Sequence, residues 1–198
     1  MMETLIVSNI LGWLATLGLA LAVLALARQI GVLHERIRPV GALSLGKVIK
    51  AGEPAPQFNL PSLTGGALSL GGVQADGQST LLFFLSPTCP VCKTLLPVLK
   101  SAQVEERSWL RVVLASDGEE AEQLAFIRQQ QLDDFPYLLS TEVGMAYQIG
   151  KLPYGVLVDG QGNVAAHGLI NTREHLESLF EAKRLGYASA QQFHAAHG

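Results

Sequence analysis

Apolar residues fill the start of the chain without interruption. From Leu5 to Ala27 there is no charged side chain. That run is about 23 residues, or roughly 35 Å as a helix, enough to cross a hydrocarbon core. Glu3 and Arg28 bound it. The run is too long and too uniformly apolar for a buried core helix. Ala25-Leu26-Ala27 resembles a small-residue cleavage site, but no Lys or Arg precedes the run, and it exceeds the ~7–15 residues of a signal peptide. The pattern predicts an uncleaved transmembrane anchor over residues 1–28.

Gly31, Pro39, Gly41 and Gly46 then punctuate a juxtamembrane linker, residues 29–50, in which no long helix is expected. Beyond it the pattern alternates between strand and helix periods. Gly65-Gly66 and Gly71-Gly72 mark turns around a short extended piece at Ala67–Leu70. Thr80–Leu85 is an apolar run of strand length and reads as a buried central strand. A helix is predicted from Pro90 to Glu106, a strand at Leu110–Ala115 and a helix at Glu119–Gln131. Phe135–Leu139 reads as a short extended segment and Glu142–Gln148 as a short helix. Asp159-Gly160-Gln161-Gly162-Asn163 is a hairpin turn between strands at Gly155–Val158 and Val164–Gly168. Thr172–Lys183 closes the domain as a helix capped by Asn171 or Thr172. This order predicts one α/β domain over residues 51–185 with a mixed central sheet flanked by helices, then a flexible tail over 186–198.

Composition changes the picture in two ways. The chain of 198 residues is 48% hydrophobic and 16% charged, and the apolar excess sits at the anchor end. Its net charge of -3 and its lack of a basic run argue against a nucleic-acid partner. Two cysteines, Cys89 and Cys92, are too few for a disulfide scaffold and supply half of a structural zinc site. None of the five histidines falls at a ligand spacing near them, and His194 and His197 lie in the tail, so no metal is expected.

The chemistry gathers where the central strand gives way to a helix, at Ser86-Pro87-Thr88-Cys89-Pro90-Val91-Cys92-Lys93. Cys89 falls at the helix N-terminus, where unpaired N–H groups and the helix dipole favour a thiolate. Cys92, one turn on, can reach back to the same sulfur and release a bound product. Pro90 suits the first turn, where its missing N–H costs nothing. Lys93 and Arg173 read as solvated helix residues.

These residues resemble the thioredoxin superfamily. Cys89-x-x-Cys92-Lys93 with Pro97 looks like its active-site helix and kinking proline, and Leu152-Pro153, before Gly155–Val158, looks like its cis-proline element. The resemblance implies a thioredoxin-like fold in which Pro153 lies beside the cysteine pair. It also implies that Leu152, Pro90 and Val91 meet an extended substrate. Two departures stand out. Thr88 replaces the usual Trp, and Phe83 stands where thioredoxins bury an aspartate, so no proton acceptor for Cys92 is identified.

Over nearly its whole length the chain resembles one accessory family more closely, the methylamine utilisation proteins MauD. The resemblance rests on Gly31-Val32-Leu33-His34-Glu35-Arg36-Ile37, the cysteine segment, Leu152-Pro153-Tyr154, and the stretch from Gly168 to Leu179. It implies a thiol–disulfide oxidoreductase or isomerase that assists maturation of the methylamine dehydrogenase small subunit in the periplasm. It implies no cofactor beyond the Cys89–Cys92 couple, and a membrane redox partner that recharges it. Arg28, Arg36, Arg38 and Lys47 all follow the anchor, and that charge bias would place the domain in the cytoplasm instead. The periplasm is favoured because structural disulfides form in oxidising compartments. The alternatives are an anchored reductase of the cytochrome c maturation type and a tethered chaperone whose cysteines merely stabilise it. A peroxiredoxin is a weaker match, since only Ala55-Pro56-Gln57-Phe58 suggests one.

Overall fold

The computed structural model describes residues 2–36 and 49–185, and in the first segment the side chains of Met2, residues 6–21 and Val23. The chain divides into two units, residues 1–45 and 46–198. The expected tail, with His194 and His197, lies outside the described residues, as does the linker between residues 37 and 48.

The described residues of the first unit form one helix, α1 (Met2–Arg36). It corrects the sequence reading at its far end, since it runs eight residues past Arg28 and through Gly31. A single glycine costs a helix only about 1 kcal/mol, too little to end this one. Its described side chains are exposed from Ile6 to Val23. Among the described residues no helix is long and apolar enough to cross a membrane, so the span expected from Leu5 to Ala27 is not shown.

The second unit is built on a five-stranded sheet in the order β5 (Tyr137–Leu139), β4 (Leu110–Ser116), β3 (Ser79–Phe84), β6 (Tyr154–Val158), β7 (Val164–Leu169). β3 runs parallel to β4, and β4 to β5, while β6 is antiparallel to both β3 and β7. The sheet is therefore mixed, as expected. Every residue of β3 is buried, because both faces of this central strand are covered and its sequence is apolar on both. One face carries Leu81, Phe83 and Leu114 under α2 (Pro90–Glu105), α3 (Glu120–Gln130) and α5 (Arg173–Leu185). The other carries Leu82, Phe84 and Val113 under α4 (Thr141–Ala146) and the hairpin β1 (Phe58–Pro61)–β2 (Ala67–Leu70).

The helix α2 buries Leu95, Leu96, Leu99 and Ala102, a stripe at helical spacing. Gly155 on β6 has no room for a side chain. A Cβ there would lie 3.1 Å from Ile170 and 3.2 Å from Leu179, so this glycine lets α5 close onto the sheet. Strand β1 was not expected. It has four residues, ends in Pro61 and pairs with β2 alone, a position where proline is tolerated.

Candidate functional site

The site grows from the end of β3. Leu85 still donates to the Ala115 carbonyl at 3.0 Å, after which the chain leaves the sheet. Ser86 holds the turn that follows. Its hydroxyl lies 3.0 Å from that of Thr88 and accepts from the Thr88 N–H at 3.3 Å, and its carbonyl accepts from the Cys89 N–H at 3.1 Å.

Cys89 is the N-cap of α2, in extended backbone with φ -85° and ψ 112°, and Pro90 occupies the first turn. The Cys89 sulfur does what a capping oxygen does elsewhere: it accepts the Cys92 N–H at 3.2 Å. Both thiols are free. They differ in exposure. Cys89 is half-buried, whereas Cys92 has no accessible surface. Burial, reinforced by the hydrogen bond to the Cys89 sulfur, pushes the Cys92 thiol up to about 12, against a weaker lowering by the Ser86 backbone. Cys92 is thus held as a protonated thiol behind a sulfur that is partly open to solvent.

The Leu152–Pro153 peptide is cis, as the resemblance implied. Tyr154, the next residue, is in register with Phe84 at the end of β3. Leu152-Pro153 therefore enters the sheet at the edge from which the Cys89 turn departs. Pro153 is buried and its carbonyl accepts from the Ile170 N–H at 3.1 Å. Leu152 and Val91 are each 40% exposed and Pro90 is exposed, so apolar surface flanks the half-buried sulfur. Lys93 is exposed, and Arg173 pairs with Glu177 at 2.7 Å and Glu105 at 3.5 Å on α2 and α5, as solvated helix residues do.

Two polar features near this edge escaped the sequence reading. The Tyr154 hydroxyl lies 2.8 Å from His167 Nδ1, with the rings stacked at 6.2 Å. Burial lowers the His167 pKa and raises that of Tyr154. On the α2 face, the buried Tyr137 hydroxyl donates to Gln123 Oε1 at 2.6 Å, and Gln123 Nε2 donates to the Asp117 carbonyl at 2.8 Å. Both pairs join residues from different elements, and no spacing in the chain announces them. Among the described residues no group of three or more His, Cys, Asp or Glu converges as a metal site would require.

The sequence profile of the AhpC/TSA family matches residues 51–175. Among solved structures, a thiol:disulfide interchange protein of the thioredoxin family from Chlorobium tepidum is 20% identical and superposes with a TM-score of 0.53, covering 68% of this chain and 95% of that one. A thiol-disulfide oxidoreductase from Bacteroides fragilis is 22% identical with a TM-score of 0.53, covering 61% of this chain and 93% of its own. Identities this low show the fold, which is thioredoxin-like. Curated relatives lie much nearer. A methylamine utilization protein MauD from Paracoccus denitrificans is 48% identical over 196 residues, 99% of this chain and 97% of that protein. Its counterpart from Methylorubrum extorquens is 49% identical over 97% of this chain and 93% of its own. The fold, the position of the cysteine pair and this full-length similarity agree: the chain belongs to the AhpC/TSA family and, within it, to the methylamine utilization proteins named MauD.

Proposed function

We propose that this protein is a membrane-anchored thiol–disulfide oxidoreductase or isomerase that matures the disulfide-rich small subunit of methylamine dehydrogenase. The observation that carries the reading is the asymmetry of the pair. One sulfur is reachable at a helix N-terminus, and the other is wholly buried one turn behind it. The name that the relatives carry points to methylamine utilization, and the client is what the family resemblance implies.

Cys89 attacks a client disulfide. A bond forms between Cys89 and one client sulfur, and the other client sulfur leaves with the electron pair and takes up a proton. The attack is reversible, so a mispaired bond can be opened and remade by the client's own thiol. If Cys92 attacks Cys89 instead, the client leaves reduced and the pair closes as a disulfide. Run backwards, the same steps oxidise a client dithiol. The Cys89–Cys92 couple serves as the whole redox centre, with no cofactor, and a separate membrane redox partner resets it. Leu152, Pro153, Pro90 and Val91 border the sulfur and receive the extended client segment.

The anchor is the apolar run from Leu5 to Ala27, and the exposed apolar side chains along α1 support it. The domain works in the periplasm, where client disulfides persist. Tethering also raises the effective concentration of Cys89 near the emerging client.

Complementation of a deletion strain tests this reading. The Cys89→Ser protein is expected in the membrane at normal level, with the small subunit scarce or mispaired and the large subunit made. A normally bridged, active dehydrogenase in that strain would refute the redox role. Full maturation by a Cys89→Ser, Cys92→Ser double variant would select the tethered chaperone.

A further inference from the structure

Closing the Cys89–Cys92 disulfide requires Cys92 to become a thiolate inside an apolar core, and Phe83, directly beneath α2, offers it no polar group. The sheet register shows where one comes from. Phe83 pairs with Leu114, and Leu114 pairs with Tyr137, so the three side chains form one row on the α2 face. Tyr137 stands two strands from Phe83, roughly 10 Å at the usual ~4.8 Å spacing, and shares the Cys92 core cluster. Tyr137 and Cys92 are both wholly buried. The Tyr137 hydroxyl is held by Gln123 Oε1 at 2.6 Å, and Gln123 is itself buried and anchored to the Asp117 carbonyl. Cys89, from its own helix, and Tyr137, from β5, both interact electrostatically with Cys92.

We propose that Tyr137, held in reserve by Gln123, is the positioning residue for the resolving step, its hydroxyl turning from Gln123 toward Cys92 as that sulfur becomes a thiolate. This deepens the proposed redox function and rests on it.

The step balances without an outside reagent. Cys92 loses its proton and forms a bond to the Cys89 sulfur. The bond between Cys89 and the client sulfur breaks, and the departing client sulfur takes the electron pair and a proton. Tyr137 keeps its own proton throughout and only shares it with the transient thiolate. A tyrosine suits this task because burial, opposed by a hydrogen bond with the Ser116 side chain and aided slightly by the proximity of Cys92, pushes its hydroxyl up to about 12, so it remains a donor. Gln123 supplies the alternative acceptor that keeps the hydroxyl satisfied while Cys92 is a neutral thiol.

Two variants with opposite expected signs test the proposal in the full chain, reduced and held in detergent. Dithionitrobenzoate gives two phases of coloured thiolate release: Cys89 attack, then closure by Cys92. Tyr137→Phe should slow the second phase by roughly tenfold or more and move its pH profile upward, with the first phase as internal reference. Gln123→Met removes the competing acceptor and should move the second-phase profile downward. A merely structural role would not produce shifts of opposite sign. Unchanged second phases in both variants, or equal slowing in both, would overturn the proposal. If Tyr137→Phe does not fold, an unshifted or upward-shifted profile in Gln123→Met overturns it alone. A wild-type chain that gives no first phase refutes the redox reading itself, and this proposal with it.

Discussion

The ionisation of Cys92 gives the most quantitative expectation. The perturbation is Cys89→Ser, which leaves Cys92 as the sole thiol. In the folded wild-type chain Cys92 is pushed from an ordinary value of 9.0 to about 12, with burial the leading cause. Three pH units cut the thiolate fraction about a thousandfold at any pH below 9. Thiolate is the form that alkylates, and Cys89→Ser keeps the burial of Cys92 but removes the two smaller raising effects of Cys89. Ionisation alone should therefore slow folded Cys92 by up to about a thousandfold relative to the same residue in denaturant. Cys92 has no accessible surface, so steric protection adds to the slowing that ionisation gives. The assay is the iodoacetamide labelling rate, read by mass spectrometry across neutral to alkaline pH. The wild type should label at Cys89 first, with Cys92 modified only as the fold opens or the pH rises far above 9. Preferential labelling of Cys92, or a folded Cys92 that reacts within tenfold of its unfolded rate, would refute the assignment of attacking and resolving roles. The same shift sets a stability trend. A thiol raised by folding stabilises the reduced fold below pH 9, and that contribution is lost as pH climbs toward 12.

Three further expectations follow from the packing. Leu99→Ala on α2, a residue only 1% exposed, should cost about 2–5 kcal/mol in urea unfolding, through the cavity left beneath the helix that carries both cysteines. Burial lowers the His167 pKa, so its contribution is present above about pH 6.5 and disappears as pH falls. The unfolding free energy should then drop by at most about 1.4 kcal/mol per pH unit on the acid side, a slope that His167→Gln should flatten. Gly162→Ala should destabilise by about 1–3 kcal/mol or more. Its φ of +84° is in the left-handed region, and a Cβ there would run into the Gly72 carbonyl group. Thermal denaturation of the variant measures that loss.

The strands and helices were legible where the chain repeats a period strongly. β3 reads as a central strand because four consecutive apolar residues, Leu81 to Phe84, suit a strand buried on both faces. The N-terminus of α2 was readable because Pro90 follows a cysteine that caps and precedes a stripe from Leu95 to Ala102. β1 was not, since four residues ending in Pro61 carry almost no periodic signal, and their pairing with β2 settles them. The end of α1 was misplaced because Gly31 looks like a stop but costs too little to be one. At the site, the cysteines declared themselves by spacing, and cis Pro153 was reached through family resemblance. Tyr137 could not be found that way. Its place beneath α2 depends on two strand registers, Phe83 with Leu114 and Leu114 with Tyr137, which the sequence does not contain. The Tyr154–His167 pair is hidden for the same reason, since it forms across β6 and β7.

Covalent trapping tests the central claim most directly. With Cys92→Ala the resolving thiol is gone, and a client caught by Cys89 stays bound through a mixed disulfide. Cells carrying this variant and grown on methylamine should yield a Cys89-linked adduct, identified by mass spectrometry as the small subunit of methylamine dehydrogenase. The adduct should vanish on reduction and in a Cys89→Ser, Cys92→Ala chain. Absence of any Cys89-linked protein while the small subunit matures normally would contradict the account.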